Sequence, residues 1–175
     1  MQNTKLLLIF CFLVIALVLG LFNSGLNRPS DQVKSVQTKD FQSGILVTAV
    51  IDGDTIEIEN GAKIRLLGVD TPETVDPRRP VGCFGKQASN KMKELLSGKR
   101  VTLEKDISES DKYGRLLRFV YLPLGNGQTL FVNDYLIREG FGKVLTIPPD
   151  VKFAEQFLEA QRRAREAKLG LWGSC

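Results

Sequence analysis

Residues 44–70 read GILVTAVIDGDTIEIENGAKIRLLGVD, and the fold turns on how this stretch is parsed. Gly44 to Ile51 is apolar and β-branched, the composition of a strand. Asp52-Gly53-Asp54 is a turn. Thr55 to Glu59 alternates, which places Ile56 and Ile58 on one face. Asn60-Gly61 reads as a hairpin turn, because both residues tolerate positive φ. Lys63 to Val69 is then the return strand. In a hairpin centred on Asn60-Gly61 the paired positions sum to about 121, which sets Asp54 opposite Leu67 and leaves Asp70 just past the pairing. Three strands in a meander begin a small β-barrel.

Downstream, Phe84, Ala88, Met92, Leu95 and Leu96 recur at helical spacing until Gly98 stops them. Arg100 to Lys105 and Leu116 to Leu122 are two more strands. Val132 to Gly140 is a short helix with a glycine stop. A last helix is expected from near Asp150, behind Pro148-Pro149, tracked by Phe153, Phe157, Leu158, Gln161, Ala164 and Leu169; Trp172 should pack back on the core. Arg162, Arg163, Arg165 and Lys168 form its solvated basic face. The expected fold class is a β-barrel with helices (α+β): a five-stranded OB-fold, a partly open barrel, with about three helices, preceded by an N-terminal apolar segment.

That segment begins after Lys5. The run from Leu6 to Phe22 is uncharged and apolar for about seventeen residues, at the lower edge of what spans a bilayer as a helix. Residues 1–22 read as a signal peptide or a signal anchor. Phe22-Asn23-Ser24 offers no clean small-x-small cleavage site, so both readings stand. Residues 23–40 are a polar tether, and 41–175 form the domain. The expected location is extracellular or at the cell surface, with membrane contact only through the N-terminal segment if it is retained.

The chain carries 24 Lys+Arg against 20 Asp+Glu, a formal +4 and a pI near 9.0, a basic bias compatible with a polyanion but weak alone. There is no histidine, which removes the Ser-His-Asp triad, histidine zinc sites and a histidine base together. Acid-base work falls to carboxylates, Lys, Tyr or metal-held water. Cys83 and Cys175 lie in the exported part. A bridge between them would close a loop of roughly 90 residues and stabilise by about 4–5 kcal/mol in the chain-entropy picture; two independent thiols are the other reading.

Three clusters carry chemistry: Asp52-Gly53-Asp54-Thr55, Arg65 through Glu73, and Asp111-Lys112-Tyr113-Gly114-Arg115. Arg65 interrupts an apolar strand, and if it shares the inward face of Leu67 it needs an anionic partner. Asp54 and Asp70 come to one rim, where two carboxylates repel unless they share a proton or a cation. Oxygen-only ligands select a hard ion, Ca²⁺ or Mg²⁺, to which the Thr71 carbonyl could add an oxygen. Glu73 could act as general base on a metal-held water, with Arg65 and Arg115 clamping a phosphate.

Taken together and in order, these clusters resemble the signature of the staphylococcal nuclease family. The similarity runs from about Thr48 to Trp172 and includes Gly85-Lys86-Gln87-Ala88-Ser89, Val132-Asn133 through Glu139-Gly140, and Gly170-Leu171-Trp172. The resemblance implies an OB-fold and Ca²⁺-dependent hydrolysis of DNA and RNA that leaves 3′-phosphate ends, by a monomer. It assigns the metal to Asp54, Asp70 and the Thr71 carbonyl, catalysis to Arg65, Glu73 and Arg115, and a terminal-phosphate contact to Lys112 and Tyr113. The chain departs from the family after Lys143: Val144-Leu145-Thr146-Ile147-Pro148 has no aromatic where the staphylococcal enzyme has base-stacking tyrosines, which implies weaker binding or altered base preference. The alternative reading is a non-catalytic surface nucleic-acid-binding OB module, in which Arg65 and Arg115 have no task.

Overall fold

The computed structural model describes residues 44–78 and 80–175; the apolar segment 1–22 and the tether 23–40 lie outside them. In chain order the elements are β1 (Ile45–Asp52), β2 (Thr55–Ile58), β3 (Lys63–Leu66), β4 (Gly68–Asp70), α1 (Gly85–Leu96), β5 (Arg100–Glu104), β6 (Leu116–Gly125), β7 (Gln128–Phe131), α2 (Val132–Arg138), β8 (Lys143–Leu145), α3 (Ala154–Glu166) and the single turn α4 (Leu171–Ser174).

Five strands close on themselves. β1 pairs β2, β2 pairs β3, β5 pairs β1, and β6 pairs β5, all antiparallel; the ring shuts where β3 runs parallel to β6, with Arg65 opposite Leu117. This is the expected OB barrel, closed rather than partly open. Its interior is filled from every strand, by Val47, Ile56, Ile64, Leu66, Val101 and Val120. Met92 and Leu96 of α1 and Leu136 of α2 continue the same core. Phe119, Phe131, Phe153 and Phe157 pack edge-on and tilted at 4.7–6.3 Å, which fixes α3 against the barrel.

Four expectations change. The hairpin turn spans three residues: Ile58 N–H donates to Ala62 O, and Gly61 takes φ 78. A type I turn followed by a left-handed glycine has this form. The register therefore slips by one, and Asp54 faces Leu66, whose N–H donates to Asp54 O at 3.0 Å. The return strand is not continuous. Gly68 sits at φ 75, and a Cβ there would come within 2.4 Å of the Phe157 ring. The chain bends out of the barrel at this point, β4 pairs with β8, and Leu66 and Leu67 are both buried. Strands β7 and β8 were not expected. Finally, α3 begins at Ala154 and leaves Leu158 exposed, while the Asp150 carboxylate accepts the Ile107 and Ser108 amides instead of starting a helix. Trp172 does pack back, but against the Arg165 guanidinium at 4.2 Å, outside the apolar core.

Gly68→Ala should lower the unfolding free energy by about 2–4 kcal/mol, combining a left-handed backbone with overpacking against Phe157. A shifted urea midpoint at unchanged slope measures this; an unshifted midpoint rejects the stated role of the bend.

Candidate active site

The bend at Gly68 and the seam between β3 and β6 bring the three sequence clusters to one end of the barrel. Leu67 is held on both sides of its peptide: its N–H donates to Arg118 O (3.0 Å) and its carbonyl accepts from the buried Asn133 side chain (2.8 Å). Asn133 also accepts the Val120 amide at 2.8 Å. A fully satisfied buried amide of this kind fixes strand and helix in one arrangement.

Asp54 leaves the β1–β2 turn and is 7% exposed. Its Oδ1 accepts from the Thr55 hydroxyl, and its Oδ2 accepts from both the amide and the hydroxyl of Thr71, each at 3.0 Å. Arg65 supplies the opposite charge. Its side chain is 12% exposed, with Nη1 3.2 Å from Asp54 Oδ2 and Nη2 3.4 Å from Asp70 Oδ1. Nη1 also donates to the carbonyls of Val69 (2.7 Å) and Leu66 (3.1 Å). Arg65, between the core residues Ile64 and Leu66 and so on the other face of β3, is still largely buried and has the anionic partners that burial demands.

Asp70 stands at the rim with 55% of its side chain open to solvent. The surrounding protein and then the Asp54 charge raise its carboxyl above the ordinary range, against the opposing pull of Arg65 and Lys143. Among the described residues no group of three or more carboxylate or thiol side chains converges on a metal position. A cation here would find two carboxylates and would need backbone oxygen and water to complete its shell. A hard ion that keeps waters fits this donor set, and a thiolate- or imidazole-seeking metal does not.

Glu73 lies close to these groups but is held by its own loop. Its Oε1 accepts the amides of Thr74 (3.0 Å), Val75 (2.8 Å) and Asp76 (3.1 Å). The Val75 amide first, then those of Asp76 and Thr74, outweigh partial burial and bring its carboxyl below the ordinary range. Its charge reaches Asp70. No ion pair joins it to Arg65 or Arg115 among the described residues.

Arg115 enters from the loop before β6. Asp111 organises that loop: Oδ1 accepts the Tyr113 and Arg115 amides at 2.9 and 3.0 Å, while Oδ2 takes Arg115 Nε at 2.7 Å and Nη2 at 2.6 Å. Burial works to raise the Asp111 carboxyl, but these bonds win and hold it low. Tyr113 is 72% exposed, with Lys112 Nζ 5.1 Å and the Arg115 guanidinium 5.4 Å from its ring centre. Arg65, Asp111 and Arg115 line one cleft of about 290 Å³, whose far wall is Leu145, Ile147 and Pro148. The wall is the stretch that lacks aromatic side chains.

Two residues acquire roles that the sequence reading left out. Asp52 accepts the Thr74 hydroxyl at 2.5 Å and so ties the end of β1 to the Glu73 loop; burial first raises its own carboxyl. Asp111 aims Arg115. Both were visible as members of their clusters, but nothing in the one-dimensional pattern separated them from ordinary turn aspartates.

A family model described as Staphylococcal nuclease homologue matches residues 63–174. A thermonuclease of Staphylococcus hyicus is 40% identical over 131 residues, covering 73% of this chain and 75% of that protein. A thermonuclease of Staphylococcus intermedius is 44% identical over 130 residues, covering 73% and 74%. Endonuclease YncB of Bacillus subtilis (strain 168) is 39% identical over 133 residues, covering 73% of this chain and 61% of that protein.

Proposed function

The chain belongs to the staphylococcal nuclease family and is a nuclease, and from that premise we propose that it is a calcium-dependent endonuclease hydrolysing DNA and RNA to 3′-phosphate ends. One observation carries the reading. The Arg65 guanidinium touches both Asp54 and Asp70 while lining the same cleft as Arg115, so the acid pair adjoins the cleft that both arginines line.

In this mechanism Asp54, Asp70 and the Thr71 carbonyl would hold the ion, which would supply positive charge to offset that of the phosphate. Glu73 accepts the proton of the attacking water. Arg65 and Arg115 orient the phosphate through paired N–H donors and neutralise the charge that grows on its oxygens as the P–O bond breaks. Lys112 and Tyr113, exposed beyond Arg115, contact a terminal phosphate. The aliphatic wall of Leu145 and Ile147 meets bases without ring stacking, so the base preference should differ from that of tyrosine-bearing relatives.

Plasmid DNA and single-stranded RNA incubated with the full-length protein in Ca²⁺ and in EGTA test the reading, with end-group analysis of the products. Cutting in Ca²⁺ alone, with 3′-phosphate ends, is expected. Equal cutting in EGTA overturns the metal dependence, and binding without cutting by folded protein supports the non-catalytic module instead.

The proposal extends to an exported protein, with 1–22 as signal peptide or anchor, 23–40 as tether and 41–175 as the nuclease domain. A Cys83–Cys175 disulfide supports this, because such bridges persist in oxidising compartments. N-terminal sequencing of the mature protein distinguishes cleavage from anchoring.

A further inference from the structure

We propose that the Cys83–Cys175 disulfide positions the Glu73 loop for catalysis, so that reducing it slows the nuclease. The inference rests on the role proposed above for Glu73. The loop leaves the barrel after Asp70 and returns to α1 at Cys83 and Phe84, and its two ends touch. Gly82 N–H donates to Glu73 O at 2.8 Å. A Cβ on Gly82 would lie 2.7 Å from Pro72 Cβ, and one on Gly85 2.8 Å from Pro72 O. Whatever fixes Cys83 therefore fixes the backbone of Glu73.

Among the described residues the loop is held mainly by polar contacts. Val75 and Val81 are 55% and 49% exposed, so it buries little apolar surface of its own. Its outgoing end is tied by Asp52 to Thr74. At its returning end Phe84 stands at φ 66, a left-handed conformation that a bulky side chain keeps only when its surroundings enforce it. The surroundings here are the Phe84–Phe141 ring contact at 5.7 Å and the covalent bond from the neighbouring Cys83 to Cys175. Cys175 is itself well anchored. The Leu171 amide donates to Gly140 O at 2.9 Å, Leu171 is buried, and Trp172 lies against Arg165. The bridge thus transmits the packing of α4 to the active-site loop. It does so beside the reacting groups: Asp70, Pro72, Lys143 and both cysteines line one cleft of about 270 Å³.

Reduction by an external dithiol passes two electrons to the S–S bond. The bond breaks, two protons complete the Cys83 and Cys175 thiols, and the dithiol leaves as its disulfide. Afterwards the returning end of the loop keeps its junction with α1 and its non-covalent contacts but loses its tie to α4.

The test compares the oxidised full-length protein with Cys83→Ser/Cys175→Ser, each with Glu73 intact and as Glu73→Gln, at saturating Ca²⁺ on a single-stranded DNA. Dithiothreitol-reduced wild type replaces the double variant if that variant does not fold. Loss of the bridge should lower kcat about ten- to a hundredfold, the scale of a misplaced catalytic group, with KM held within about twofold. In the Glu73→Gln background the same loss should change kcat by less than about twofold, because the effect runs through Glu73. Amide exchange at Thr74, Val75 and Asp76 should accelerate by about tenfold or more on reduction while the barrel amides hold. Unchanged kcat and exchange overturn the inference, as does a fall in kcat that persists in full without Glu73. A near-normal rate for Glu73→Gln alone marks failure of the Glu73 assignment itself, which the intact-bridge arm reads separately.

Discussion

Glu73→Gln should lower kcat by about 10²–10⁴-fold, the range of a lost general base, with KM and the urea midpoint nearly unchanged. The substitution isolates chemistry from structure because of how the side chain is held. Oε1 accepts the amides of Thr74, Val75 and Asp76, and the carbonyl oxygen of glutamine can accept the same three bonds. What is removed is the negative charge and the capacity to take a proton. Glu73→Ala is the structural control: it strips the acceptor from three amides, so hydrogen exchange at 74–76 should rise along with the loss of activity. Steady-state rates on plasmid DNA, with circular dichroism to verify the fold, decide the matter. A Gln variant that cuts at a near-normal rate removes Glu73 from the mechanism.

Arg115→Ala should lower kcat/KM by about 10³-fold, the cost of deleting a guanidinium that neutralises transition-state charge. Arg115→Lys should recover no more than about tenfold of this, because an ammonium keeps the charge but not the planar fork. The Asp111 pairing makes the difference specific. Oδ2 receives both Nε and Nη2, which sets the guanidinium plane and leaves its remaining N–H groups to the cleft. A lysine has no second nitrogen with which to reproduce that aim. Stability should fall by about 1 kcal/mol or less, since the pair is partly solvated. Arg65 gives a less clear experiment: its removal also unpairs the buried Asp54, so metal affinity, folding and clamping change together. Equal rates for Arg115→Lys and wild type reject the fork.

Much of this arrangement was legible before folding. The alternation of Ile56 and Ile58, the spacing of Ala88, Met92 and Leu96, and the need of a buried arginine for an acid all follow from local periodicity and the cost of burying charge. The misses share a cause. Gly61 and Gly68 both take positive φ, and which of them absorbs a turn or a bend depends on what approaches it. At Gly68 that is Phe157, from the far end of the chain. β8 is three residues long and exists because β4 bends toward it, so no propensity within Lys143–Leu145 could announce it. The same holds at the site. The residue types proposed for ion, base and clamp stand in the sequence, but the hydrogen bonds that fix the surrounding backbone come from tertiary neighbours: Asp52 with Thr74 and Asn133 with Leu67. Whether two cysteines bridge was open on spacing alone. It is settled by the docking of α4 on Gly140, which delivers Cys175 to Cys83.

The parallel seam between β3 and β6 has a bearing on when the protein becomes dangerous to nucleic acid. Arg65 travels on one side of that seam and Arg115 arrives at the other, separated along the chain by β4, α1 and β5. A polypeptide still emerging from the ribosome, or one threaded unfolded through a translocation pore, carries the acids and one cation on its first half and the second cation on a later piece. Until the ring shuts, Arg65 and Arg115 are apart, so under the mechanism proposed above the unfinished chain would lack its paired phosphate clamps.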